Sequence, residues 1–579
     1  MTDAEILEAA LAWVADDPDP DSRAAAQVLI DHGDERTLRE HFAGRLEFGT
    51  AGIRGALGPG PRRMNRAMVR RVSAGLADYL LDEVPLATTR GVVIGYDGRH
   101  GSSVFAEDAA GVFAARGLAV HLHEEVCSTP QLSHAVTWLD AAGGVVVTAS
   151  HNPRQDNGYK VYWPNGAQII PPHDRGISAR IDALGPTMDI EVPALTSLYA
   201  SGRVRAVPRE VVDAYRAEVA ALRVHRDTGV RLVYTALHGV GAKLVKEVLY
   251  EAGHTDLHMV PEQTEPDGDF PTVSFPNPEE PGALDLALAL AQELRADLIL
   301  ANDPDADRLA VVERTPDGGY RLLSGNQVGV LLASDLLTHG PQDEGRMVST
   351  SVVSSTMLSA IAERHGAAYV DTLTGFKWIA NAAIDHEAAG GRFVMGYEEA
   401  LGYSIGPVVR DKDGISAALL MADLCAWCKK QGLTLLDQLE QLYRDFGYYG
   451  TVQKSLVMPG TEGALRIREL LETLRNAPPQ EMGGLPLTRV RDLLTGEDRD
   501  PVSGVVRPAG LPKSNVLHFQ YGPDVRILAR PSGTEPKIKF YIEVREDVAE
   551  DESLTAVEER VSGRVDALVA SFLTRLGVG

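Results

Sequence analysis

The run Gly143-Gly144-Val145-Val146-Val147-Thr148-Ala149-Ser150-His151-Asn152-Pro153 decides how the chain is read. Its first five residues are apolar and rich in valine, as in a strand buried on both faces of a parallel sheet. The strand stops at Ser-His-Asn-Pro, which sets a hydroxyl at its carboxyl end beside an imidazole. In open α/β sheets, ligands bind at that edge. A serine hydroxyl is a weak nucleophile until a base or a metal assists it. Asn152-Pro153 equally suits a plain structural turn. No Gly-x-Ser-x-Gly elbow surrounds Ser150, which weakens a hydrolase reading.

Similar punctuation recurs along the chain. Val92 to Tyr96 leads to Asp97-Gly98-Arg99, Ala296 to Leu300 leads to Asp303, and Arg392 to Met395 leads to Glu398. A helix-like segment is expected after each polar cluster. That alternation predicts several α/β domains with mixed, mostly parallel sheets. No short repeat is visible, so a solenoid is excluded. The tail differs. Val525 to Arg530 and Lys537 to Val544 read as strands about a turn, and Leu554 to Leu576 as a helix, giving a smaller α+β domain. Junctions fall in Glu191 to Val207, Leu322 to Asn326 and Gly447 to Gly450. The expected domains are 1–207, 208–325, 326–449 and 450–579.

Composition bounds the function. A chain of 579 residues exceeds one ordinary core and suggests about three to five domains. The formal net charge of −25 disfavours nucleic acid and anionic membranes as partners. Anionic substrates must be held by local basic residues. The three cysteines, Cys127, Cys425 and Cys428, are too few for a disulfide framework and fit a reducing compartment. Cys425 and Cys428 form a lone CxxC in an apolar, helix-like run and read as core. The acidic start Met1-Thr2-Asp3-Ala4-Glu5 lacks a signal-peptide pattern. No apolar run reaches membrane-spanning length. A cytoplasmic location is expected.

Four further strings carry chemistry. In Asp303-Pro304-Asp305-Ala306-Asp307-Arg308, carboxylates at alternate positions converge on one side if the backbone is extended. Three like charges so close call for a cation, and oxygen ligands favour Mg²⁺ over Zn²⁺. An EF-hand is excluded, because Arg308 and Arg314 stand where it needs Gly and Glu. A solvated acidic turn is the bland alternative. Arg530-Pro531-Ser532-Gly533-Thr534-Glu535-Pro536-Lys537 offers a guanidinium fork, two hydroxyls and close backbone approach for a phosphate; a hairpin turn is its alternative. Gly396-Tyr397-Glu398-Glu399-Ala400-Leu401-Gly402 places acids at a strand end, where they can accept from sugar hydroxyls. Gly49-Thr50-Ala51-Gly52-Ile53-Arg54-Gly55 is a Gly-rich loop with one arginine in reach of an anion, and is not a Walker A loop.

Together these strings resemble the α-D-phosphohexomutase superfamily. The resemblance rests on Thr148 to Pro153, Asp303 to Arg308, Glu398 to Gly402 and Arg530 to Pro536, in the family's order and spanning nearly the whole chain. Phe48 to Gly55, Gly58-Pro59-Gly60 and Arg63-Met64-Asn65 look most like its phosphoglucomutase/phosphopentomutase branch. The resemblance implies three α/β domains and a smaller fourth α+β domain around a central cleft. It implies that Ser150 carries a phosphoryl group. Asp303, Asp305 and Asp307 would bind Mg²⁺, with a phosphoserine oxygen as a further ligand. Glu398 would grip sugar hydroxyls, and Arg530, Ser532, Gly533 and Thr534 the non-reacting phosphate. Arg54, His151, Arg308, Thr374, Gly375 and Lys377 would line the reacting centre, with His151 and Lys377 as rival general bases. The implied activity interconverts glucose 1-phosphate and glucose 6-phosphate through a bisphosphate, with glucose 1,6-bisphosphate as activator. Phosphomannomutase or phosphopentomutase activity, a Mg²⁺-dependent sugar phosphatase, and a sugar-phosphate binding protein that has lost catalysis are the alternatives. The expected partners are small sugar phosphates. One departure stands out. Many members carry Glu-x-Ser in the sugar loop, whereas here Ala400 replaces that serine, with Ser404 as a nearby substitute.

Overall fold

The computed structural model describes residues 1–47, 52–458, 460–532 and 537–577. These divide into two compact units. One holds residues 1–328 and 375–431, the other 329–374 and the residues from 432 onward.

The first unit opens with three short helices, Asp3–Asp16, Pro20–His32 and Glu35–Phe42. Each starts on a polar cap: Thr2 in a full capping box with Glu5, Asp19 ahead of a proline, and Asp34. Such caps satisfy the first orphan N–H groups of a helix. Ile6, Ala10, Ala26 and Phe42 form their small shared core.

Next comes a six-stranded sheet in the order Ile53–Ala56, Asp156–Tyr162, Gly143–Val147, Val92–Tyr96, Val120–Leu122 and Val204–Ala206. Its last four strands run parallel and its first two run antiparallel to their neighbours. Gly143–Val147 is buried throughout, as its unbroken apolar run requires. The helices Arg66–Glu83 and Ser102–Ala115 contribute to the main core on this sheet.

A five-stranded sheet follows in the order Tyr320–Leu323, Leu309–Arg314, Leu298–Asn302, Leu232–Thr235 and Leu257–Met259. Leu298–Asn302 is fully buried and pairs parallel with Leu232–Thr235. The helix Gly414–Lys430 packs on it and buries Cys425 and Cys428. Burial holds the Cys425 thiol well above its usual range, so the CxxC is core. The unit also contains the helix Phe376–Ala388 and the antiparallel pair Arg392–Glu398 and Gly402–Ile405.

In the second unit, Arg346–Ser351 and Ala368–Thr372 pair in parallel. Its larger part is an antiparallel sheet in which Tyr448–Val457 pairs with Lys537–Glu546, Lys537–Glu546 with Val525–Pro531, and Val525–Pro531 with Leu517–Tyr521. The long helix Leu554–Arg575 lays Val557, Val561, Leu568 and Phe572 onto that core. This is the α+β tail read from the sequence. Among the described residues, no helix is long and apolar enough to cross a membrane.

The expected helix after each polar cluster appears only after Asp97, where Ser102–Ala115 follows. Beyond Ser150, Asp307 and Glu398 the chain instead returns as an antiparallel strand. The reason lies in the corners. Ser150, Ala306 and Leu401 have φ of 51°, 55° and 62°, and one left-handed residue reverses the chain too tightly for a helical crossover.

Candidate active site

Three strand corners hold the candidate residues, and hydrogen bonds stitch them together. Each left-handed non-glycine residue costs of order 1 kcal/mol, so the surroundings must hold it. At the first corner the Ser150 N–H donates to Thr148 Oγ1 at 2.8 Å. At the second, the Ala306 N–H donates to the Asp303 carbonyl, and the Arg308 N–H to Asp303 Oδ1. The aspartate string is thus a tight turn; the expected extended backbone is corrected here, and the turn does the converging. The third corner is tied to the second: the Leu309 N–H donates to the Leu401 carbonyl at 3.0 Å, and Arg308 Nη1 to the Ala400 carbonyl at 2.7 Å.

Ser150 Oγ donates to Asp303 Oδ2 at 2.6 Å. The serine is 2% exposed, and Asp303, Asp305 and Asp307 are 0% exposed. One oxygen from each aspartate lies within 4.8 Å of the others. Burying three carboxylates together is costly unless they are paired. Lys160 Nζ lies 2.7 Å from Asp305 Oδ2 and 3.0 Å from Asp307 Oδ2. Lys412 Nζ lies 3.1 Å from Asp307 Oδ2. Burial pushes Asp305 and Asp307 up, but the lysine charges outweigh it and hold both below the usual carboxylate range. Asp303, with no lysine, is driven well above that range by burial and its two acidic neighbours. Burial likewise works to lower the Lys160 and Lys412 pKa values, and the carboxylates reverse it.

The residues present fit a hard divalent cation. Asp305 Oδ1 and Asp307 Oδ1 are buried and accept no hydrogen bond among the described residues. Unsatisfied oxygens of this kind, beside a third carboxylate, make an all-oxygen donor set suited to Mg²⁺.

Several other predicted residues reach the same corners. Arg54 Nη1 donates to Asn152 Oδ1 at 2.8 Å. It sits in the strand Ile53–Ala56, which corrects the loop expected there: Ile53 to Ala56 form an edge ladder with Asp156–Tyr162. Phe48, Gly49, Thr50 and Ala51 lie outside the described residues. Burial and the nearby Arg308 and Arg54 charges hold His151 well below its usual pKa, and its buried Nδ1 has no hydrogen-bond partner among the described residues. The Gly375 N–H donates to Glu398 Oε1 at 2.7 Å, while burial and Glu399 raise the Glu398 pKa. Lys377 stands in the first turn of Phe376–Ala388, and burial lowers its pKa. Ser404 is buried and donates to the Val409 carbonyl at 3.2 Å. Its one donor hydrogen is thus directed to the backbone, while its lone pairs carry no such bond to Val409.

Thr374, Arg530 and Ser532 belong to the second unit. The Thr374 hydroxyl is buried without a hydrogen-bond partner among the described residues. Arg530 lies opposite Lys539 near the end of its strand, and the Ser532 N–H donates to the Lys537 carbonyl. Gly533, Thr534, Glu535 and Pro536 lie outside the described residues.

The sequence reading missed Lys160, Lys412, Thr129 and Arg99. The Thr129 hydroxyl donates to Asp305 Oδ2 at 2.7 Å. Lys160 had one legible signal: a lone charge in the otherwise apolar Tyr159-Lys160-Val161-Tyr162, which in a buried strand demands a partner.

Models of four domains match the chain: phosphoglucomutase/phosphomannomutase alpha/beta/alpha domain I over residues 45–187, domain II over 212–318, domain III over 324–446, and the C-terminal domain over 503–560. A phosphopentomutase of Homo sapiens is 38% identical over 570 residues, covering 94% of this chain and 92% of that protein. A phosphoglucomutase of Staphylococcus epidermidis is 38% identical over 498 residues, covering 86% and 90%. The crystal structure of a phosphoglucomutase/phosphomannomutase family protein from Burkholderia thailandensis shares the fold, with a TM-score of 0.66 at 20% identity over 91% of this chain and 96% of that one.

Proposed function

The chain belongs to the phosphoglucomutase/phosphomannomutase family and is a phosphosugar mutase, an isomerase-type phosphotransferase; we propose that it interconverts glucose 1-phosphate and glucose 6-phosphate with Ser150 as phosphoryl carrier. The observation that carries this reading is the 2.6 Å hydrogen bond from Ser150 Oγ to Asp303. It sets a hydroxyl against the one acid of the triplet that lacks a lysine.

In this reading Ser150 gives its phosphoryl group to the free hydroxyl of a sugar monophosphate. The bisphosphate turns over and returns its other phosphoryl group to the serine. Phosphoryl transfer depends chiefly on positioning and on offsetting charge at the transferring oxygens. Arg54 and Arg308 supply fixed positive charge beside the serine corner. Asp303, Asp305 and Asp307 would hold Mg²⁺, which when bound neutralises charge on those oxygens. His151, held neutral, is able to take a proton from the attacking hydroxyl; Lys377, its pKa lowered, is the other candidate base. Glu398, which accepts the Gly375 N–H, would accept from sugar hydroxyls, and Thr374 would serve as a further substrate contact. Arg530, Ser532, Gly533 and Thr534 would hold the distal phosphate. Glucose 1,6-bisphosphate would prime the serine and so act as activator.

A second reading, pentose phosphates as the preferred substrates, is favoured by Ala400 and by the human relative's name and coverage. The test has two parts. Mass spectrometry of chain treated with glucose 1,6-bisphosphate should find one phosphate, on Ser150, and Ser150→Ala should abolish isomerisation. Comparing kcat/KM on glucose, mannose and pentose 1-phosphates then ranks the sugars. Unlabelled Ser150 with full turnover would reject the carrier; inorganic phosphate as the main product would indicate a phosphatase.

A further inference from the structure

The corner that presents Ser150 is not held by its own backbone alone. Four carbonyl oxygens of the segment, from Ser150, Asn152, Pro153 and Asp156, converge on a single guanidinium. Arg99 Nη2 donates to Ser150 at 2.6 Å and to Asn152 at 2.5 Å; Nη1 donates to Pro153 at 2.8 Å and to Asp156 at 3.1 Å. Arg99 is 4% exposed. Its own position is fixed twice over. Asp97 Oδ2 lies 3.5 Å from its Nε, and Asp97 Oδ1 accepts the Arg99 N–H at 3.0 Å. The Phe270 ring, from the neighbouring five-stranded domain, lies against the guanidinium with its centre 5.0 Å away. The loop that brings Phe270 approaches so closely that a Cβ on Gly98 would stand 2.8 Å from the Pro266 side chain.

Converging carbonyl dipoles repel one another, and Ser150 is left-handed besides. A buried cation is the physical remedy for both. Only a planar fork with several directed donors spans four acceptors; a lysine ammonium has three donors at one point. Arg99 also lies in a different sheet corner from Ser150, so it ties the serine segment to the rigid strand Val92–Tyr96.

We propose that Arg99 is a positioning residue for phosphoryl transfer: it clamps the 150–156 segment so that Ser150 Oγ stays aimed at the aspartate triplet. The inference rests on Ser150 as carrier. It adds that the aim of that hydroxyl is set by a residue that does not touch the sugar.

Arg99→Lys is the conservative test, since it keeps the buried charge opposite Asp97. A misaimed nucleophile costs on the order of 100-fold. The rate of Ser150 labelling by glucose 1,6-bisphosphate and kcat should therefore both fall about 100-fold, with KM for glucose 1-phosphate within about threefold. The ratio of phosphate lost to water to productive turnovers should rise about tenfold, because a loosened corner admits water. A merely structural role would lower both rates together through loss of folded protein and leave that ratio unchanged. In Arg99→Ala, methylguanidinium should restore part of kcat and butylammonium none. Amide hydrogen exchange over residues 148–158, read on the full chain without substrate, should accelerate in Arg99→Lys while Leu298–Asn302 stays protected. Wild-type labelling rates in Arg99→Lys, or unchanged exchange over 148–158, overturn the clamp. If wild-type Ser150 never labels, the carrier reading fails, and the exchange experiment still decides whether Arg99 holds the segment.

Discussion

Lys160→Met would remove the charge that makes the aspartate triplet tolerable. The ammonium is almost fully buried and lies within 3.0 Å of two carboxylates. Methionine keeps the volume and drops the charge. Two estimates of the loss agree. Breaking a buried ion pair by deleting one partner costs about 3–5 kcal/mol, and a unit charge about 4 Å away at an effective dielectric of 20 is worth about 4 kcal/mol. The apparent midpoint of the first thermal transition should fall in EDTA; the chain has several domains, so one global unfolding energy is not defined. The same deletion leaves Asp305 and Asp307 in need of a cation. Calorimetric titration should show Mg²⁺ binding tightened by about 10- to 100-fold, that is by about 1.4–2.8 kcal/mol, and saturating Mg²⁺ should narrow the gap in midpoints. Weaker or unchanged Mg²⁺ binding, or identical midpoints in EDTA, would refute the idea that Lys160 and a divalent ion serve the same carboxylates.

Three further outcomes are expected. Arg530→Ala should raise KM for phosphorylated sugars by about 10- to 100-fold and leave Mg²⁺ affinity within twofold; equal loss of both would mean the tail arginine is misassigned. Ala400→Ser should improve kcat/KM on hexose relative to pentose phosphates by about 3- to 10-fold, the worth of one hydrogen bond, and a shift the other way would count against a sugar contact at this position. A chromogenic disulfide reagent at pH 8 should titrate no cysteine of the native chain, because all three are buried and burial pushes the Cys127 thiol up to about 12; prompt labelling of Cys425 or Cys428 would reopen a redox role.

Much of this architecture was legible where a run of apolar residues ends in a reactive string. Gly143–Val147 and Leu298–Asn302 are the buried strands their valines, leucines and isoleucines require, and Ser150 and Asp303 meet as the strings together imply. The return strands after Ser150, Asp307 and Glu398 were not legible. Their corners turn on left-handed Ser150, Ala306 and Leu401, residue types that give no signal for positive φ, unlike glycine or asparagine. Lys160 and Arg99 were hidden for another reason. Their partners lie 145 residues away at Asp305 and 51 residues away at Ser150, and only the tertiary fold brings them together. The three N-terminal helices carry plain caps at Thr2, Asp19 and Asp34; there the signal was present and unused.

The pairing of Tyr448–Val457 with Lys537–Glu546 through ten consecutive partners has a consequence for synthesis on the ribosome. The first strand leaves the exit tunnel about eighty or more residues before its mate, a delay of several seconds at ordinary elongation rates. During that interval it is an open edge with unmet amides, the kind of surface that recruits other nascent chains. A message truncated before Lys537 would leave that edge permanently exposed. Such fragments should precipitate or be captured by chaperones, and slowing translation just upstream of residue 537 should lower the soluble yield of an otherwise unaltered protein.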